Sequence, residues 1–224
     1  MKLLWGVAML VAGLFWSPSG AQALEVVKLP APAFKGAISV EEALKQRRTV
    51  RRFASRGLDL KQVGQILWAA DGLSDPRGYR TAASAGATFP MEIYLVVGER
   101  GVAGLAAGVY RYRPEDHSLG LVSKGEARHA VARASLHQTW MAEALVMVVI
   151  AAEYGRCTAR YGQRGVMYTH IEAGHVGTNV FLQAEALGLG AGIVGAFDDK
   201  GLAQALKLPG HHEPLLVMPV GYKY

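Results

Sequence analysis

Four arginines crowd residues 47–52, RRTVRR, around a single hydroxyl at Thr49, in a chain that is otherwise 51% hydrophobic. Guanidinium groups are planar and permanently charged, and their paired N–H donors match the oxygens of a phosphate two at a time. The residue types therefore suit a compact dianion, with the threonine hydroxyl as a further donor. Two other readings use the same residues. Arg47 and Arg48 could complement the negative end of a preceding helix, worth a few tenths of a kcal/mol each, which leaves Arg51 and Arg52 unexplained. Nucleic-acid binding would want interleaved aromatics or further basic stripes, and the other lysines and arginines are scattered along the chain.

Other chemical signals weaken once their spacing is counted. Residues 190–195, GAGIVG, match the dinucleotide-binding string G-x-G-x-x-G. That motif needs a strand before it and a helix after it; here the pattern predicts the reverse order. His170 and His175 are five residues apart, which at about 100° per residue separates them by roughly 140° around a helix and argues against a shared metal. No metal site is expected. His211-His212 lies between Gly210 and Pro214 and reads as a solvated turn. Cys157, the single cysteine, has no CxxC partner and reads as a buried thiol. On a helical projection Glu172, His175, Asn179 and Gln183 fall within roughly 80° of one another. They form either a narrow wet face or a polar seam beside an interface or ligand.

The elements that must carry these groups are interleaved without regular alternation, which predicts an α+β fold. Ser39-Val-Glu-Glu42 has the form of a capping box, so a helix should run to about Arg48, with the arginines straddling its exit. Asp59 should cap a second helix, in which Leu60, Val63, Ile66 and Leu67 recur at helical spacing until Asp71-Gly72. A loop rich in Gly, Ser and Ala covers 72–90. Strands are predicted at 92–97, 109–113 with 119–122 as a hairpin, 146–152, 193–197 and 214–220. The apolar run at 146–152 suits a strand covered on both faces. Residues 125–144 are helix-compatible, 161–187 form the longest helix candidate, and 199–206 a short one.

At 224 residues with one cysteine, the chain can bury one substantial core and cannot form an intrachain disulfide. Residues 1–23 have a basic residue at Lys2, an apolar run at 3–16 and a small-x-small ending at Ala21-Gln22-Ala23. That is the pattern of a secretory signal, cleaved after Ala23, and the run is shorter than the roughly 18–20 residues of a spanning helix. Export to the periplasm or the exterior is expected, with no stable membrane span. Residues 24–37 read as an extended lead-in and 38–224 as one domain. Removing Lys2 takes the formal charge from +6 to about +5, a modest excess compatible with anionic ligands.

Arg47-Arg48-Thr49-Val50-Arg51-Arg52-Phe53 resembles the R-R-S/T-x-R-x-F signature that opens the flavin-dependent nitroreductase superfamily. Three further segments agree in order: residues 84–90, SAGATFP; residues 172–175, EAGH; and residues 190–198, GAGIVGAFD. The set is most similar to the thiazole/oxazole oxidase subfamily and spans nearly all of residues 38–222. The resemblance implies a mostly antiparallel sheet flanked by helices, and a homodimer with FMN at shared active sites. It implies that Arg47, Thr49 and Arg51 hold the FMN phosphate with Arg48 assisting. Ser84, Ala85, Gly86 and Pro90 would line the flavin from the other subunit. Val194, Gly195 and Ala196 would pass along its reactive edge, with a backbone N–H aimed at N5. Lys223 is the candidate for the basic contact that members often bring from the C-terminus.

It further implies an FMN oxidoreductase acting by alternation. NAD(P)H reduces the flavin, and a small acceptor such as a nitroaromatic or quinone then takes the electrons, or the same site oxidises an azoline-type ring. Arg160 and Tyr161 are candidates for substrate contact, and no side chain need be an obligatory acid or base. The rival expectation is a non-catalytic flavin- or ligand-binding envelope protein of the same fold. Nucleic acid is not an expected partner.

Overall fold

A computed structural model describes residues 25–224. The signal segment expected at 1–23 lies outside them. Seven strands form one sheet in the order β1-β4-β3-β2-β5-β7-β6, and every pairing is antiparallel. The strands are β1 (Val26–Lys28), β2 (Met91–Val97), β3 (Gly108–Arg113), β4 (Ser118–Lys124), β5 (Val146–Ala152), β6 (Leu189–Ala191) and β7 (Glu213–Tyr222). Six helices flank the sheet: α1 (Val40–Gln46), α2 (Leu60–Asp71), α3 (Arg128–Ala134), α4 (Tyr154–Tyr161), α5 (Arg164–Ala186) and α6 (Asp199–Leu206). No helix among the described residues is long and apolar enough to cross a membrane.

Strand alternation explains why β2 and β5 are apolar throughout. Successive side chains point to opposite faces, and both faces are covered. Val146, Val148 and Ile150 of β5 join Ile93 and Leu95 of β2 in the core under α2 and α5. Met147 and Val149 join Tyr94 and Val96 in a second core under α3 and α6. The sheet is thus the middle layer of three, and α5 runs along one face of it.

Helix starts follow the side chains that cap them. Ser39 accepts a hydrogen bond from the Glu42 N–H at 3.1 Å, and Asp59 and Gln62 close a full reciprocal capping box at α2. The Glu42 side chain does not reach back to close the box predicted at α1; it accepts from Gln46 instead.

Three expectations are revised by the fold. The long helix predicted at 161–187 is two helices, α4 and α5, because Gly162 adopts φ +55° and ends the first. Residues 125–144 hold only the short α3 and a 3₁₀ turn at Thr139–Glu143. The strand expected at 193–197 lies earlier, at β6, and Val194 makes only an isolated bridge to Val217.

Candidate functional site

Residues 49–54 leave α1 in extended form and run beside β6 and the end of β7. Thr49 bridges Ala191 and Phe53 bridges Lys223. The Val50 N–H donates to the Ala191 carbonyl at 2.9 Å and the Ala54 N–H to the Tyr222 carbonyl at 3.0 Å. The chain order of the motifs hides this contact: the arginine segment and the 190–198 segment are about 140 residues apart in sequence, yet they share backbone hydrogen bonds, which folding can deliver only through tertiary pairing.

Glycine makes the approach possible. A Cβ on Gly190 would meet the Val50 side chain at 2.7 Å, and one on Gly192 would lie 2.8 Å from both the Val50 carbonyl oxygen and the Trp140 ring. Neither residue needs a left-handed backbone; each is small because the arginine segment passes over it. Gly192→Ala forces backbone against backbone and is expected to cost about 1–3 kcal/mol. A urea titration checks this: an unchanged midpoint would mean that the contact relaxes freely.

The guanidiniums on this segment have no acidic partners. Among the described residues no ion pair involves Arg47, Arg48, Arg51 or Arg52. Arg47 lies over the Phe181 ring, 5.2 Å from its centroid, and Arg51 over Trp140 at 5.8 Å. Arg48 donates to the carbonyls of Lys45 and Arg47. Such a set, with Thr49 half-buried among uncompensated positive charges, fits a phosphate monoester. Lys223 differs: its ammonium is 2.6 Å from the buried Glu185 carboxylate, so its charge is already matched.

In the 190–198 segment, Val194 spends both its N–H and its carbonyl on Val217, each at 2.9 Å. The N–H groups of Gly195 and Ala196 have no acceptor among the described residues, and both residues are exposed. Together with the N–H groups of Ile193 and Phe197, which likewise have no acceptor among the described residues, these two rather than Val194 are the backbone donors left free for a ligand.

The other two motifs meet each other. The Ser84 hydroxyl accepts from the Phe89 N–H at 2.9 Å and folds 84–90 into a tight loop, with Gly86, Ala87 and Phe89 all at positive φ. The polar residues of α5 face this loop. Asn179 donates to the Thr81 carbonyl and His175 contacts the Ala83 carbonyl, both at 3.2 Å. Gln183 accepts from Gln65 at 3.1 Å. Glu172 is buried near the Ser84 hydroxyl and the Ala85 N–H, its carboxylate oxygens have no hydrogen-bond partner among the described residues, and burial raises its carboxyl above the ordinary range. The polar stripe is therefore a seam within the chain: Asn179 and His175 hold the segment that leads into the loop, and Gln183 meets Gln65 of α2. Arg160 donates to the Gly86 carbonyl at 2.9 Å, and the Tyr161 hydroxyl lies 2.3 Å from where a Gly86 Cβ would be. Pro90 is buried at the entry to β2.

Within one chain the four motifs thus form two pairs. Both touch α5, at Phe181 and at Glu172, nine residues or roughly 13 Å apart along the helix.

Beyond the segments singled out by sequence, two ionic clusters support the loop. Arg80 pairs with the buried Asp71 and lies over the Phe89 ring at 4.6 Å. Glu92 holds Arg111 at 2.7 Å and Arg156 at 2.6 Å, and Arg156 also donates to the Phe89 carbonyl at 2.9 Å. No sequence motif marks them, because their partners come together only in the fold. His212 likewise departs from the solvated turn expected of it. It is buried, with Nδ1 hydrogen-bonded to the Tyr94 hydroxyl at 2.7 Å, and only His211 is exposed. His170 bonds Tyr154 at 2.6 Å, away from His175.

Comparison with known proteins agrees with this fold. The model of the nitroreductase family matches residues 44–222. A nitroreductase-type protein of Methanocaldococcus jannaschii is 47% identical over 83% of this chain and 92% of its own. Among solved structures, a nitroreductase-type protein of Ralstonia eutropha superposes with a TM-score of 0.75 at 26% identity, over 96% of this chain and 97% of that one. The NADPH:FMN oxidoreductase of Vibrio harveyi, complexed with NAD+, shares the fold at a TM-score of 0.59 and 19% identity, over 82% of this chain and 68% of that one.

Proposed function

Because the chain belongs to the nitroreductase family, we propose that it is an FMN-dependent oxidoreductase working as a homodimer, passing electrons from NAD(P)H to a small acceptor such as a nitroaromatic or quinone. The observation that carries this reading is the run of acid-free guanidiniums at 47–52, pinned by backbone hydrogen bonds to a glycine-rich turn with unspent N–H groups. When bound, the flavin supplies reversible hydride acceptance. The protein supplies the grip. Arg47, Arg51 and Thr49 hold the phosphate, and Arg48 adds charge beside them. The N–H of Gly195 or Ala196 donates to the ring nitrogen where a proton must be held, a preorganised contact that needs no side-chain acid.

The loop at 84–90 belongs, in this reading, to the site of a second copy. Its separation along α5 from the arginine segment motivates the assignment. So does the exposed face of α5, where Met167 is 47% and Ile171 45% exposed, large apolar surface that a partner would cover. Arg160 and Tyr161, which brace Gly86, stand next to that loop as substrate contacts. Similarity of the motifs to thiazole/oxazole oxidases adds a second direction for the same site, oxidation of an azoline-type ring. On the signal pattern at 1–23 we further propose that the reaction takes place outside the cytoplasm.

The test is direct. Mature protein recovered from its own compartment should be yellow, should release FMN on denaturation, and should oxidise NAD(P)H when a nitroaromatic or quinone is supplied. A yellow but inert dimer would establish a flavin carrier instead, and a colourless protein that refuses FMN would end the proposal.

A further inference from the structure

We infer that Glu153, His211 and His212 form a binding site for a divalent transition-metal cation of the zinc type, separate from the flavin site. One ligand atom from each of the three lies within 4.8 Å of the other two. Two imidazoles and one carboxylate are the donor set that zinc and its neighbours prefer, whereas calcium and magnesium favour oxygen alone.

The second observation concerns His212. Its side chain is 1% exposed, and its Nδ1 is fixed by the Tyr94 hydroxyl at 2.7 Å. With the proton on Nδ1 and donated to the tyrosine oxygen, the Nε2 lone pair points away from that contact. There it finds Glu92 at 3.9 Å and Glu153 at 4.0 Å, both too far for hydrogen bonds. A cation with bonds of about 2.0–2.2 Å to nitrogen and carboxylate oxygen closes such a gap with a small movement. Tyr94 then does what outer partners of metal-bound histidines do: it sets the tautomer and the ring plane.

Charge around the cluster is balanced. The carboxylates of Glu92 and Glu153 face the guanidiniums of Arg111 and Arg156, and Arg156 now pairs with Glu153 at 2.5 Å. Metal binding therefore exchanges one partner of Glu153 for another, while Arg156 keeps Glu92 and the Phe89 carbonyl. The bound ion would staple the entry of β7, at His211-His212, to the start of α4, at Glu153. The Glu153 N–H is bonded to the Pro90 carbonyl at 2.8 Å, so the staple also steadies the end of the 84–90 loop.

The experiment uses tag-free mature protein, stripped with EDTA, and zinc titrated in competition with a chromophoric chelator. One equivalent per chain is expected, together with a zinc-dependent rise in Tm. His211→Ala, an exposed position that leaves the core intact, should weaken zinc binding about tenfold or more and abolish the rise in Tm, and Tyr94→Phe should weaken it less. His129→Ala, on α3, should bind as wild type. Substoichiometric binding, an unchanged affinity in His211→Ala, or a loss in His129→Ala equal to that in His211→Ala would each overturn the assignment.

Discussion

Arg47→Ala combined with Arg51→Ala is expected to weaken FMN binding by about 3–6 kcal/mol, from two charge-assisted contacts at about 1.5–3 kcal/mol each. The fold should survive the change. Neither side chain is ion-paired among the described residues, and each rests on an aromatic ring, a contact worth about 0.5–1 kcal/mol at exposed sites. Stability and flavin capture are therefore separable at these positions: the double variant should unfold near the wild-type midpoint and yet be recovered colourless. Quenching of FMN fluorescence on titration reads the affinity, and a change of less than about tenfold would remove the arginine segment from the site. Arg48→Ala should do less, because that guanidinium is bound to the carbonyls of Lys45 and Arg47. Added salt should reduce wild-type affinity more than that of the double variant, since screening acts on the charges that remain.

The parts of the fold legible in the sequence were those governed by local chemistry. Ser39 and Asp59 mark helix starts because their side chains satisfy N–H groups three residues away, and the apolar run at 146–152 marks a strand with two covered faces. The arginine cluster was legible for the same reason, since four like charges in six residues need no fold to be noticed. What stayed hidden depends on distant partners. GAGIVG matches the nucleotide string without its strand-then-helix context, and nothing local shows that Gly190 and Gly192 are small because Val50 and Trp140 press on them. His212 looked like a turn residue because Tyr94, its partner, lies 118 positions earlier. The polar stripe of α5 left two readings open, since periodicity shows that side chains share a face and not what they meet. Gly162 does not interrupt the helical pattern because a single glycine inside it costs only about 1 kcal/mol, and its positive φ is a tertiary outcome.

Arg80 shows how a residue outside every motif can govern the site. It pairs with Asp71, which is 1% exposed, and lies over the ring of Phe89 in the 84–90 loop. Arg80→Ala is expected to cost about 1–3 kcal/mol at neutral pH, the penalty for leaving a buried polar group without its partner, because the carboxyl can take up a proton instead of standing as an unpaired charge. The cost should depend on pH in a defined direction. Burial pushes the Asp71 carboxyl up to about 7 even with Arg80 beside it, against about 3.9 in an unfolded chain. The folded state therefore holds this proton more tightly than the unfolded state, so its stabilising contribution is complete below about pH 4 and is lost as pH rises towards 7. Without Arg80 the carboxyl rises further and the falling limb extends past neutrality. Asp71→Asn removes the titrating group, so a double variant with Arg80→Ala should show neither the extended limb nor the full loss. Urea unfolding of the four proteins between pH 5 and pH 8 decides it. Parallel pH profiles for wild type and Arg80→Ala would mean that Asp71 does not titrate in this window.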